Sequence, residues 1–197
     1  MNKISKFNLF LAFCFTLISI ITSIYLKDLT FLLFILVIII PFILKIKPVM
    51  TTIYLVFIFL AMFLGCMLHL YKITTWYDNF THFLWGYISG YVAIYILDKF
   101  KLFNHNKLFD IFFIFILSLA SSCIWEISEF IIDNLFNMDM QRKLTGVNDT
   151  MKDVIVTLLG NILFILCYKN NLLIKQFIKQ LGGWFDVRRK NNWIIKK

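Results

Sequence analysis

Charge is what this sequence has least of. Lys, Arg, Asp and Glu make up 16% of its 197 residues, while hydrophobic residues make up 60%. A soluble domain carries about a quarter of its residues charged, so a water-facing globule is excluded. Two prolines and seven glycines are too few for a flexible or extended linker, and no fixed-period repeat occurs, so one integral membrane domain over residues 1–197 is expected. The four cysteines, Cys14, Cys66, Cys123 and Cys167, fall in separate apolar runs and form no C-x-x-C pair. That excludes a disulfide framework and a thiolate metal cage and leaves them as small buried apolar residues. A serine nucleophile motif, a glycine-rich phosphate loop and an HExxH helix are absent too.

What the chain has in abundance is apolar length. A bilayer core of roughly 30 Å needs about 20 helical residues at about 1.5 Å each. Six runs meet or approach that length: Phe7 to Leu26, Leu29 to Leu44, Thr51 to Leu70, Phe80 to Leu97, Ile111 to Asp133, and Met151 to Tyr168. The expected fold class is therefore all-α, a polytopic transmembrane helical bundle of about six spans. The first run follows Lys3 and Lys6 but is longer than a signal-peptide core and lacks an A-x-A-like site, so it reads as an uncleaved span.

Basic residues set the orientation, because short loops rich in them stay cytoplasmic. The N-terminus, the Lys45/Lys47 loop, the Asp98 to Asp110 loop and the tail 169–197 hold 15 of the 20 basic residues and three of the 11 acids. Both termini are thus expected inside. The other side holds Asp28, Asp78, Glu126, Glu129, Asp133, Asp139, Asp149 and Asp153. The net charge of +9 then lies beside anionic lipid headgroups and implies no nucleic-acid partner. In the tail, Leu, Ile, Phe and Trp alternate with Lys and Arg, the pattern of a basic amphipathic segment on the inner leaflet. The expected location is a bacterial plasma membrane, with membrane lipids as surroundings.

The first three spans carry almost no ionisable residue and read as scaffold, so any chemistry lies in residues 78–153. Asp78 and His82 are four apart and share a helix face with Gly86 and Gly90. Small residues at that spacing let another helix approach, which turns His82 into the bundle. Ser118, Ser122, Glu126, Glu129 and Asp133 form a second stripe, and Asp149, Asp153, Thr157 and Gly160 a third. If the fifth span enters the hydrocarbon near Ile111, Glu126 lies about 22 Å further on, in the outer quarter of the core. Each buried charge there costs at least about 2.5 to 3.5 kcal/mol unless paired, protonated or ion-bound. Helix capping explains Asp78, or Thr150 with Asp153, but not two carboxylates in mid-helix.

Oxygen ligands with one imidazole suit a divalent ion such as Mg, Mn or Zn. The candidate metal ligands are His82, Glu126, Glu129 and Asp153. Asp78 orients His82 and Asp149 is a further ligand or base, the two candidate catalytic residues. Gln141, Arg142 and Lys143 are candidates to meet anionic headgroup oxygens of a lipid or lipid-linked substrate. Two rivals stand beside this enzyme reading: a cation or proton-coupled transporter, and a partner-binding or immunity protein whose acids form a structural polar lock.

The elements Tyr77-Asp78-x-x-x-His82-Phe83, Trp125-Glu126-x-x-Glu129-Phe130, Gln141, Gly146-Val147-Asn148-Asp149-Thr150-x-x-Asp153 and Gly160 resemble those of the YjdF-like family of bacterial integral membrane proteins. Their order is also similar to the VanZ-like proteins. The resemblance covers roughly residues 50–168 and implies a site at these residues but no reaction, the family's domain having no established function.

Overall fold

The computed structural model describes residues 3–102, 107–136, 139–141 and 146–170. The chain is an all-α, multi-pass membrane protein, and no strand occurs among the described residues. Five helices are long and apolar enough to cross a membrane: Lys3–Leu26, Pro48–Met67, Tyr77–Lys99, Lys107–Phe136 and Val147–Tyr168. A sixth apolar helix, Leu33–Ile43, is shorter.

The chain divides into two compact units, Met1–Tyr77 and Asp78–Lys197. The first holds α1 (Lys3–Leu26), a 3₁₀ turn (Leu29–Leu32) leading into α2 (Leu33–Ile43), α3 (Pro48–Ile58) running on as a π-helical stretch (Phe59–Met67), and the single turn α4 (Leu70–Ile73). Pro48 starts α3 at the first helical turn, where a missing N–H costs nothing. Pro41 sits inside α2 and leaves the Val37 carbonyl without its helical donor; the Tyr54 hydroxyl of α3 donates to that carbonyl at 2.9 Å. Asn8 ties α1 to α3, donating to the Pro48 carbonyl at 2.7 Å and accepting from Thr52 at 2.8 Å. Phe15 packs on Phe59 and Phe63 with ring centroids 5.6 and 4.9 Å away. Among the described residues, this unit carries packing and no group of three or more potential metal ligands.

The second unit consists of α5 (Tyr77–Lys99), α6 (Lys107–Phe136) and α7 (Val147–Asn170). Each has an aspartate in its first turn, Asp78, Asp110 and Asp149, where the helix dipole favours negative charge. A Cβ on Gly86 would overlap the Thr157 carbonyl, and one on Gly160 would overlap the Phe83 carbonyl, so α5 and α7 meet backbone to backbone. Across the other seam, the Ser89 hydroxyl bonds that of Ser118 at 2.8 Å and the Trp85 indole donates to Ser121 at 3.1 Å.

The helices reach beyond the apolar runs by three or four residues at several ends, because polar residues such as Asp78 and Asp149 continue the hydrogen-bonded ladder after hydropathy has fallen. Asp110, expected in an inner loop, is one of these: it is buried in α6, and the Tyr168 hydroxyl donates to its Oδ2 at 3.3 Å. No disulfide joins the four cysteines among the described residues. Cys14, Cys66 and Cys167 are partly buried, but Cys123 lies on the outward face of α6, so burial does not explain it.

Candidate functional site

The stripes of α5 and α7 face one another, and His82 of α5 is where they meet. Its Nε2 lies 3.5 Å from Asp78 Oδ1, one turn back on α5, and 3.9 Å from Asp153 Oδ2 on α7. One ligand atom from each of Asp78, His82 and Asp153 falls within 4.8 Å of the others, and His82 and Asp153 are buried. The other imidazole nitrogen, Nδ1, lies 3.4 Å from the Thr157 hydroxyl. If Nδ1 carries the hydrogen and donates to Thr157, Nε2 presents its lone pair toward two carboxylates. A lone pair and two carboxylates repel unless a proton or a metal cation sits among them. The close approach at Gly86 and Gly160 creates this geometry, since it brings α7 near enough for Asp153 and Thr157 to bracket the ring.

Among the described residues, Lys152 adds a basic side chain there. Its Nζ is 2.9 Å from Asp149 Oδ1 and 3.6 Å from Asp153 Oδ1. It occupies the solvent side of the carboxylate pair, with its side chain 38% exposed. Asp149 therefore faces Lys152, and Asp153 is shared between Lys152 and His82.

Glu126 is 5% exposed, and neither of its carboxylate oxygens has a hydrogen-bond partner among the described residues, although Gln141 and Thr150 border it. Glu129 is partly buried and takes the Trp125 indole N–H at 2.8 Å. The three-residue group thus contains Asp78, His82 and Asp153; Glu126 and Glu129 lie outside its 4.8 Å compass. Asp78, expected to orient His82, stands as a potential ligand in its own right. Gln141 Nε2 donates to the Glu126 backbone carbonyl at 3.3 Å and to Thr150 Oγ1 at 3.2 Å, while its backbone N–H and that of Met140 bond Asp133 at 3.0 and 2.8 Å. Gln141 is therefore a strut tying the loop to α6 and α7. Arg142 and Lys143 lie outside the described residues, as does the tail from residue 171.

Sequence patterning singles out neither Lys152 nor Asn161, and it gives Trp125 no role beyond its place in the family motif. The i, i+3 relation of Asp149 to Lys152, and of Trp125 to Glu129 at i+4, carried the signal for two of them. Asn161, fully buried one turn beyond Thr157 on the same face, continues the third stripe.

The family model described as "Predicted membrane protein (DUF2238)" matches residues 4–171. The chain is also similar to an uncharacterized protein of Thermotoga maritima, 29% identical over 128 residues. That match covers 65% of this chain and 62% of the relative's own length, so the chain spans less than two thirds of it. No solved structure matches.

Proposed function

We propose, for a chain that belongs to the predicted membrane protein family DUF2238, a divalent-cation site at Asp78, His82 and Asp153 that serves chemistry on an anionic envelope lipid or lipid-linked carrier. Its motifs are those of the YjdF-like proteins, and its place is the bacterial plasma membrane. The observation that carries this reading is the triad around Nε2. Three potential ligand atoms lie within 4.8 Å on two helices locked by glycine contacts, and His82 already has Thr157 on its far nitrogen. An imidazole whose second nitrogen is held by a neighbour is the usual arrangement of a metal-ligating histidine. Charge supports it further. Asp78, Glu126, Glu129, Asp149 and Asp153 gather at one end of the three helices with Lys152 as the basic counterpart, leaving an excess of negative charge for a cation to offset.

Mg, Mn or Zn fits a set of carboxylates and one imidazole. Bound there, such an ion acts as a Lewis acid toward a phosphoryl or carbonyl oxygen. The chain's own residues do the rest. Thr157 fixes the tautomer of His82, Gln141 holds the loop against α6 and α7, and Glu126 is a buried carboxylate placed to accept a proton. Arg142 and Lys143 would meet the anionic headgroup.

The test is the metal content of protein extracted without chelator and offered Mg, Mn and Zn in turn. About one ion per chain is expected, lost in His82→Ala and in Asp153→Asn. Wild-type protein that stays folded but retains none of the three ions overturns the reading. A second reading has its own observation: Lys152 already bridges Asp149 and Asp153. In that polar lock the lysine and a protonated His82 balance the acids. Lys152→Met would then lower the melting temperature sharply, whereas in the metal reading added divalent ion restores it.

A further inference from the structure

Beneath the His82 layer the polar stripes continue inward. One turn further from the acidic end lie Gly86, Ser122 and Thr157; one turn beyond that lie Ser89, Ser118 and Asn161. The Ser122 side chain is 1% exposed and Asn161 0%. Three residues here hold buried side-chain oxygens with no hydrogen-bond partner among the described residues: both carboxylate oxygens of Glu126, the hydroxyl of Ser122 and the amide oxygen of Asn161. Asn161 spends its amide nitrogen on the Gly86 carbonyl at 3.4 Å, and Ser89 donates to the same carbonyl at 2.7 Å.

Buried polar atoms are nearly always satisfied, by protein or by water, and within a bilayer no lipid tail can do it. Every unsatisfied atom on this three-residue run is an oxygen able to accept. The Glu126 carboxylate and the Asn161 amide oxygen only accept, so what they lack is a donor or a cation, while the Ser122 hydroxyl can both donate and accept. The run also ends abruptly. Ala93, Ile94, Ile114 and Phe164 are all 0% exposed, and the Phe164 ring lies against Gly90, where a Cβ would overlap it. Beyond that apolar layer Asp110 and Tyr168 form a separate buried pair.

We propose that the interior of α5, α6 and α7 is a hydrated half-path for small monovalent cations, entered at the acidic end past Glu126, lined by Ser122 and Asn161, and closed by the Phe164 layer. It shares Glu126 and Thr157 with the surroundings of the divalent site but needs none of the three potential ligands Asp78, His82 and Asp153. Water satisfies the lone pairs in the resting protein, and a proton or an alkali ion can replace it without stripping any protein hydrogen bond. The acids at the mouth raise the local concentration of cations over anions.

Substituted-cysteine reactivity in membrane vesicles tests this, with Cys14, Cys66, Cys123 and Cys167 first replaced by Ser or Ala. Ser122→Cys is nearly isosteric, and Thr157→Cys provides a second reporter should one variant fail to insert. Both should react with silver ion, and with a cationic methanethiosulfonate about tenfold or more faster than with an anionic reagent of similar size. Ile114→Cys should stay unmodified, and Lys152→Cys should react as the positive control. Inertness of Ser122→Cys and Thr157→Cys to silver overturns the path. Equal rates with both reagent charges overturn its cation preference, and modification of Ile114→Cys as fast as Ser122→Cys overturns the closing layer. Chelator present throughout keeps the outcome independent of any divalent ion, so loss of the metal reading and loss of the half-path are told apart.

Discussion

At the scale of single residues, the acids divide by their partners, and the division predicts opposite responses to the same substitution. Glu126 is buried with neither oxygen hydrogen-bonded among the described residues, whereas Asp153 has His82 at 3.9 Å and Lys152 at 3.6 Å. Glu126→Gln removes a charge that costs at least about 2.5 to 3.5 kcal/mol to bury and keeps the shape. The metal-free variant should melt at the same or a higher temperature than wild type. Asp153→Asn instead strips Lys152 and His82 of a shared carboxylate and should melt lower, because it removes one side of a buried ion pair with Lys152. Thermal unfolding of the two variants in detergent, with chelator present, checks the pair of signs; a clear drop for Glu126→Gln would show that its carboxylate is a structural partner after all. Much of this was legible in the sequence. Spacing by fours put Asp78 and His82 on one face and gathered Glu126 with Ser122 and Ser118. What spacing could not give was distance across helices, so it could not say that Asp78 and Asp153 approach the same imidazole nitrogen while Glu129 turns to Trp125.

Between helices, the decisive contact is the crossing of α5 and α7. Gly86 and Gly160 each face a carbonyl of the opposite helix, with no room for a methyl group. Gly160→Ala should therefore push the helices apart, at a cost of about 1 to 3 kcal/mol typical of overpacking. Because Asp153 and Thr157 lie on the same stretch of α7, the shift should also weaken whatever ion the triad holds. The expected result is a lower melting temperature together with lost metal affinity. Gly146→Ala serves as the comparison: nothing lies within 4 Å of its would-be Cβ, and only its φ of +37° is strained, so stability should fall modestly with metal content unchanged. Loss of metal in Gly146→Ala alone would contradict the assignment of the crossing as the site's support. The small-residue stripes foretold that these faces meet, but hydropathy blurred the helix ends. It could not see that Asp110 belongs to α6, since an aspartate beside lysines looks like loop until Tyr168 is placed against it.

For the molecule as a whole, the open question is parity, and the second apolar helix decides it. The 3₁₀ turn Leu29–Leu32 and α2 together extend about 24 Å, short of a core of roughly 30 Å. Length alone therefore leaves five crossings, which would put the two ends of the chain on opposite faces. Charge argues the other way. Lys45 and Lys47 follow α2 directly, and keeping them on the same side as Lys3, Lys6, Lys99, Lys101 and Lys107 requires that α2 cross. A shortfall of several ångströms costs only fractions of a kcal/mol per Å, met by local thinning or by the long stems of Lys27 and Lys45. Translocating the Lys45/Lys47 loop and every basic stretch after it would violate the positive-inside bias repeatedly. Orientation by charge should prevail, giving six crossings. In a background without native cysteines, a cysteine at Asp139 should react with an impermeant thiol reagent on intact spheroplasts, and one at Lys45 only after the membrane is opened. A cysteine at Asp28, separated from Lys45 by the second apolar segment alone, should react on intact spheroplasts too, and reaction at both Asp28 and Lys45 before opening would mean that α2 does not cross. Reaction at Lys45 alone would invert the protein and turn the His82 cluster toward the cytoplasm, where a soluble anionic metabolite rather than an envelope lipid would be its natural substrate.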